Sequence, residues 1–243
     1  KGLDLDLFRE QIGYIRKHYH VITMEEVIHS IDNQVKIPSK SVLLTFDDAY
    51  SDHYMNVFPI LDKYQLQGSF YPPAKAIAEN TILDVNKIQF ILASVQNKSD
   101  IVSDLKNLLT VYKKEYQLQD FEYYYNKLAY ASKYDTDEVI FIKRILQVEL
   151  IEELRIKILD NLFEKYIGMS EGSFSRELYM NEEQLKDMLR SGQHVGNHGY
   201  NHLWWNSLTK EEMREELDLS IAFLNKIGVD MNNWTANYPY GSY

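Results

Sequence analysis

The chain has no cysteine among its 243 residues. This absence excludes a disulfide framework, a thiolate zinc site and a cysteine nucleophile. No window of about 18 apolar residues occurs, so no transmembrane helix is expected, and no signal peptide is visible. Basic residues (26) are fewer than acidic residues (36), and the net charge of −10 argues against nucleic acid as a partner. Hydrophobic residues make up 45% of the chain, which excludes wholesale disorder and predicts a buried core.

The beginning of the chain carries the local signals of two helices. Apolar residues recur every three to four positions over 3–19, which predicts an amphipathic helix. A short extended run at 20–22 follows it. Thr23 and Glu26 then form the pattern of a capping box, so a second helix is predicted from there to about Asp32.

A β-α-β unit is predicted in the next segment. Residues 41–46 form a run with few polar positions, which is typical of a buried parallel strand, and 68–71 form a second strand. Between them, Ser51 or Asp52 is expected to cap a helix that ends near Tyr64.

Residues from about 79 to 180 differ in pattern from the rest of the chain. Strand-like runs vanish there and helical periodicity dominates. No Gly/Ser/Pro-rich linker flanks this segment, so we interpret it as a helical insertion in a single domain spanning 1–243. Burial of its own apolar faces is the preferred role, and a lid over a substrate site is the alternative.

The alternation of strands and helices returns after residue 180. Capping-box patterns open predicted helices at 182–191 and 210–227, and short strands are predicted at 194–197 and 234–238. Strands that alternate with helices imply an α/β fold with parallel strands. Functional sites in such folds lie at the carboxyl ends of the strands.

Three groups of polar and aromatic residues follow predicted strands. They are the adjacent pair Asp47 and Asp48, the H-x3-H pair His198 and His202, and the turn at 237–241. Each group alone has an ordinary explanation: an exposed acidic turn, two unrelated histidines, or a turn that ends a strand. Together, one carboxylate and two imidazoles make a metal-binding triad with open coordination positions, and the second carboxylate is placed to accept a proton.

Read in full, the three groups are Thr45-Phe46-Asp47-Asp48, His198-Gly199-Tyr200-Asn201-His202 and Tyr238-Pro239-Tyr240-Gly241. In this order they resemble the motifs of the polysaccharide deacetylases of carbohydrate esterase family 4, also called the chitooligosaccharide deacetylase homology domain. The resemblance covers about 1–78 and 180–243. The helical insertion is expected to lie outside the shared core.

This resemblance implies a fold and a site. The fold would be an irregular (β/α) barrel with fewer than eight strands. Asp48, His198 and His202 would bind one divalent metal ion, most often zinc. Asp47 would be the general base, and Tyr240 would bind the substrate and hold the oxyanion through its backbone N–H.

The resemblance also implies an activity. The chain would be a hydrolase of carbohydrate metabolism that removes acetyl groups from an N-acetylated sugar or polysaccharide through a metal-activated water. The expected partner is that glycan. Relatives are often exported or act at the cell envelope, so a location there or outside the cell is the corresponding expectation.

Several positions depart from the family pattern. Ala49 follows the double Asp where Gly is usual, and Gly199 replaces a Ser or Thr whose hydroxyl braces the loop. Asn237 stands where the family often has an Arg that orients the base. The later motif with the catalytic His has no counterpart in the chain, and His194 is a minor candidate for the missing acid.

These departures keep two alternatives open. The chain could be a degenerate family member that binds a glycan or a protein partner without catalysis. It could also be a related C–N hydrolase for a small amide or cyclic imide, since the same chemistry serves such substrates.

Overall fold

The structure, a computed structural model, describes residues 2–241. Lys1, Ser242 and Tyr243, which include both ends of the predicted domain, lie outside the described residues. The chain divides into two compact units. The first runs up to Thr81 and resumes at Gly172, and the second comprises Ile82–Glu171.

The first unit begins with two capped helices. Helix α1 (Leu5–His18) starts after Asp4, whose carboxylate accepts the backbone N–H groups of two residues in the first turn. Helix α2 (Met24–Asp32) starts after Thr23, and Glu26 completes the capping box. The predictions of both helices and of this capping box are confirmed, because a cap needs only residues that are close in sequence.

Parallel strands form the centre of the first unit. Strand β1 (His20–Val21) pairs with β2 (Ser41–Val42). Strands β3 (Leu44–Asp47), β4 (Gly68–Tyr71) and β5 (His194–Val195) form a separate sheet with β4 in the middle. The ring of Phe46 on β3 stacks on Phe70 of β4, with centroids 4.8 Å apart. All of these pairs are parallel, as predicted for an α/β fold.

The helix after the double Asp does not begin as predicted. A π-helical turn (His53–Val57) continues into α3 (Phe58–Lys63). Asp52 already has helical φ and ψ and makes no capping hydrogen bond, whereas Ser51 Oγ donates to the carbonyl of Glu177. A capping residue must be non-helical, so the prediction that Ser51 or Asp52 caps this helix is wrong.

The predicted strand at 234–238 is also wrong in extent. It is reduced to one parallel bridge between Asn197 and Ala236. Asn197 N donates to Thr235 O, and Asn237 N donates to Asn197 O, each at 2.8 Å. The pairing goes no further because Pro239 has no N–H to continue the ladder, and this residue begins a 3₁₀ turn, Pro239–Gly241.

Four further α-helices contribute to the first unit. They are α4 (Ala74–Ala78), α10 (Glu171–Leu178, which spans the boundary between the units), α11 (Glu182–Arg190) and α12 (Lys210–Ile227). The predicted capping boxes of α11 and α12 are confirmed. One apolar cluster joins α1, α3, the sheet, α11 and α12; its members include Ile12, Leu61, Phe70, Val195, Leu185 and Leu224.

Every residue of the second unit is described, and all of its regular secondary structure is helical. Its helices are α5 (Asp84–Ser94), α6 (Lys98–Tyr112), α7 (Phe121–Leu128), α8 (Asp137–Arg144), a π-helical turn (Ile145–Glu149) and α9 (Glu152–Ile167). The ammonium of Lys87 is buried and pairs with Asp160 at 2.7 Å and with Glu171 at 2.9 Å. Among the described helices, none has both the length and the apolarity required to span a bilayer.

Candidate metal centre and active site

The two adjacent carboxylates lie at the carboxyl end of β3 and differ in exposure. Asp47 is the last residue of the strand and is exposed, whereas the Asp48 side chain is only 21% exposed. Asp48 and Ala49 have φ of 67° and 53°, so the chain reverses directly after the strand. This left-handed conformation favours glycine, which explains in physical terms why Ala49 is a departure at a position where Gly is usual.

The two histidines lie in a tight turn after β5. His198 and His202 are buried, at 3% and 7% exposed. Gly199 has φ 78° and His202 has φ 58°, so a turn rather than a helix brings the two rings to one side. A Cβ on Gly199 would lie 3.2 Å from Trp205 Nε1 and 3.3 Å from Glu216 Oε2. A larger residue at Gly199 would therefore be both strained and crowded.

Asp48, His198 and His202 converge. One ligand atom from each lies within 4.8 Å of the others. Asp48 Oδ1 is 3.6 Å from His198 Nε2 and 3.4 Å from His202 Nε2. Two ligands that each lie about 2.0–2.2 Å from a tetrahedral ion are about 3.4 Å apart. Asp48 Oδ1 is buried and has no hydrogen-bond partner among the described residues, so these three residues fit a divalent cation.

Hydrogen bonds around the triad orient its members. His198 Nδ1 lies 2.8 Å from the carbonyl of Asn237, which can only accept, so Nδ1 carries the proton and Nε2 presents its lone pair. Asp48 Oδ2 accepts from the hydroxyl of Tyr50 at 3.2 Å. Two nitrogen ligands and one oxygen ligand are a donor set that suits a divalent metal ion.

The electrostatics of the triad suit metal ligation. Burial raises the pKa of Asp48, but the His198 contact and the nearby His202 outweigh it and hold the pKa below its usual range. Burial lowers the pKa of His202 to about 4. Burial also lowers the pKa of His198, but the contact with Asp48 and the Asn237 carbonyl raise it overall. At neutral pH, Asp48 is therefore an anion and His202 is a neutral imidazole with a free lone pair.

Asn237 links the triad to the second carboxylate. Its Nδ2 donates to Asp47 Oδ1 at 2.7 Å, while its carbonyl accepts from His198. The sequence presents Asn237 only as a departure from the family Arg. The contact with Asp47 depends on chain segments 190 positions apart, so no local pattern predicts it.

Tyr240 lies beside the triad, next to an aromatic residue that sequence reasoning missed. Its ring centroid is 4.6 Å from that of His202, and its backbone has φ 58°. Trp204 stacks on Tyr240 with centroids 4.4 Å apart and planes 7° apart. Both residues are 37% exposed, so they form an accessible apolar surface at the triad. A lone Trp carries no motif, which is why the pattern did not identify it.

The side-chain contacts of His194 are with residues outside the triad. Its Nε2 is 2.8 Å from Thr235 Oγ1, and its Nδ1 is 3.9 Å from Glu25 Oε1. Burial lowers the pKa of His194. Its role as the catalytic acid stays a prediction.

Known proteins share the segments that build this site. The polysaccharide deacetylase family model matches residues 34–136 and 156–243. The match begins later than the expected 1–78 and extends into the helical segment, which was expected to lie outside the shared core. An Escherichia coli (strain K12) poly-beta-1,6-N-acetyl-D-glucosamine N-deacetylase is 34% identical over 65 residues, which cover 26% of this chain and 10% of that protein.

Two solved structures share the fold over nearly the whole chain. The Streptococcus pyogenes deacetylase PplD in complex with acetate is 16% identical with a TM-score of 0.54, covering 99% of this chain and 65% of that one. IcaB from Ammonifex degensii is 17% identical with a TM-score of 0.53, covering 98% and 67%. The sequence matches to curated relatives, unlike these structural matches, span only 10% to 21% of those relatives' own lengths. The irregular α/β barrel is thereby confirmed, and the chain belongs to the polysaccharide deacetylase family.

Proposed function

We propose that the protein is a metal-dependent hydrolase that removes acetyl groups from an N-acetylated sugar or polysaccharide. Asp48, His198 and His202 hold one divalent cation, which we propose to be zinc. The convergence of these three side chains, with ligand atoms within 4.8 Å of one another, carries the proposal. The substrate class is supported by the printed name of the Escherichia coli relative, which acts on poly-beta-1,6-N-acetyl-D-glucosamine.

The chemistry follows from the groups around the triad. When bound, a divalent cation supplies Lewis acidity and lowers the pKa of a coordinated water. Asp47 is the base that accepts a proton from the attacking water, and Asn237 holds its carboxylate through Nδ2. Tyr240 contributes its backbone N–H to the developing oxyanion by analogy with the family. The water oxygen bonds to the acetamide carbon, the C–N bond breaks, and the departing nitrogen takes up the proton that Asp47 accepted from the water, so that the acetyl group leaves as acetate and the sugar keeps a free amine.

The exposed rings beside the triad support a sugar substrate. Trp204 and Tyr240 present apolar area next to His202, where a pyranose ring or an acetyl methyl group can pack. Asp47 is also exposed, so a glycan in solution can reach it. The alternative of a degenerate member rested partly on the missing Arg. The Asn237 contact with Asp47 weakens that argument, because the Asn237 amide supplies a hydrogen-bond donor to Asp47 in place of the Arg.

The test measures metal and turnover together in matched variants. We expect about one zinc per chain and release of acetate from N-acetylglucosamine oligomers. Asp48→Asn should lose zinc, whereas Asp47→Asn should keep zinc and lose acetate release. Asp62→Asn, an exposed acid on α3, is the control and should change neither.

Two results would contradict the proposal. Undiminished zinc affinity in Asp48→Asn would remove Asp48 from the ligand set. A zinc-loaded wild-type protein that binds the oligomers without releasing acetate would favour the degenerate, glycan-binding alternative. A location at the cell envelope or outside the cell stays a prediction.

A further inference from the structure

Glu216 is a buried acid whose carboxylate contacts a single loop. It lies on α12 and is 2% exposed. Its Oε2 accepts the backbone N–H of Tyr200 at 3.0 Å and that of Asn201 at 3.0 Å. Its Oε1 accepts the same Asn201 N–H at 3.2 Å and also the Asn201 side-chain amide. Burial of a carboxylate is costly unless donors satisfy it, and here those donors come from two adjacent residues.

The two residues that Glu216 contacts lie between the histidines of the triad. Tyr200 lies two positions after His198, and Asn201 directly precedes His202. His202 has φ 58°, an unfavourable backbone conformation for a residue with a side chain. Such a conformation costs about 1–3 kcal/mol and persists only where surrounding contacts enforce it. The Glu216 contacts are of this enforcing kind.

A second set of contacts holds the same loop from α4. The carbonyls of Gly199 and Tyr200 accept the backbone N–H groups of Ala74 and Lys75, at 3.1 and 3.0 Å. Lys75 Nζ donates to Asn201 Oδ1 at 2.9 Å. The carbonyls of Gly199 and Tyr200 and the side-chain oxygen of Asn201 thus bond to α4. The N–H groups of Tyr200 and Asn201 are left to the Glu216 carboxylate, which only accepts.

We infer that Glu216 is a positioning residue that holds the 199–202 turn in the conformation that brings His198 and His202 together. The part of this inference that concerns metal binding rests on the proposed function. Glu216 acts through the backbone of the turn and does not touch the triad in the contacts above. The role requires both carboxylate oxygens of Glu216 to accept hydrogen bonds from the turn. An amide of the same size would present an N–H₂ group to N–H donors.

The experiment compares Glu216→Gln with Glu215→Gln, the same change at the preceding, exposed position of α12. Zinc affinity is measured by competition with a chelator, and site geometry by the visible spectrum of the Co²⁺-loaded protein. Amide hydrogen exchange of Tyr200 and Asn201 is measured in the metal-free protein. We expect E216Q to weaken zinc binding by roughly 10–100-fold, to shift the Co²⁺ spectrum and to accelerate both exchange rates. E215Q should match the wild type.

The outcomes separate this inference from the proposed function. Zinc affinity within about twofold of wild type and unchanged exchange of the two amides in a folded E216Q would overturn it. Glu216→Asp is the second variant: it keeps the charge but withdraws it by one methylene, and it should also weaken zinc binding. Loss of folding in both variants would assign Glu216 to general stability and overturn the inference. A wild type that binds no zinc, with faster exchange in E216Q, would refute the proposed function and leave the loop-holding role intact.

Discussion

Replacing Asn237 by Ala separates the two contacts that this residue makes at the site. The side chain donates to Asp47 Oδ1 at 2.7 Å, and the backbone carbonyl accepts from His198 Nδ1 at 2.8 Å. Alanine removes the first contact and keeps the second. We therefore expect N237A to bind zinc with wild-type affinity and to turn over substrate more slowly.

The size of this effect follows from the kind of hydrogen bond that is lost. A hydrogen bond to a charged group contributes about 1.5–3 kcal/mol. Asp47 is exposed, and water can replace the lost donor, so the lower end of that range applies. A difference of about 1.36 kcal/mol corresponds to about a factor of ten in rate. Acetate release should thus fall about tenfold in kcat.

The chain offers a matched control for N237A. Asn233 is exposed, and its Nδ2 also donates to a carboxylate, Asp230 Oδ2 at 2.8 Å. N233A removes the same kind of contact outside the triad and should leave kcat unchanged. An N237A kcat equal to that of N233A would refute the orienting role of Asn237. A loss of zinc in N237A would show instead that the residue acts on the metal ligands.

Two further predictions concern stability. Gly196→Ala should lower the free energy of unfolding by about 1–3 kcal/mol in urea titrations, because the added Cβ would lie 2.5 Å from Cε1 of the buried Tyr71 ring. Gly13→Ala is the control, because its Cβ would meet open space, and it should not be destabilising. Equal effects of the two substitutions would refute the clash at Gly196. Burial raises the pKa of Asp104, but its hydrogen bonds, chiefly the one from Lys165, outweigh burial and lower the pKa overall. The folded protein is therefore stabilised above the unfolded pKa of about 3.9, and this stabilisation is lost as pH falls through the folded pKa. The stability gap between wild type and D104N should accordingly narrow from about pH 7 to about pH 3, and a constant gap would contradict this.

Elements that depend on near neighbours in sequence were predictable. The capping box at Thr23 and Glu26 is confirmed because donor and acceptor lie three residues apart. The predicted cap at Ser51 or Asp52 is wrong because Asp52 already has helical φ and ψ and the Ser51 hydroxyl donates to the distant carbonyl of Glu177. The left-handed turn at Asp48 and Ala49, which precedes this helix, also depends on a distant residue. That turn is held by a contact with β4, where Asp48 N donates to Tyr71 O at 3.1 Å. A local pattern does not contain such a contact.

The candidate site shows the same division. The residue types of Asp47, Asp48, His198 and His202, and their places after strands, were enough to predict a triad of one carboxylate and two imidazoles, because ligand chemistry belongs to the side chain. The assignment of Asp48 as a ligand and of Asp47 as the base came from the resemblance to the family, and the role of Asp47 stays a prediction. The convergence of the triad within a few ångströms was decided by the pairing of β3, β4 and β5, which brings the ends of distant segments to one edge.

The contacts that tune the site were decided by tertiary structure alone. Asn237 reaches Asp47 across 190 positions of sequence, and Glu216 reaches Asn201 from a different element. Local sequence determined which groups this protein has to offer and which short segments form helices or strands. Only the packing of those segments determined which donor meets which acceptor, because a hydrogen bond depends on distance in space and not on separation along the chain.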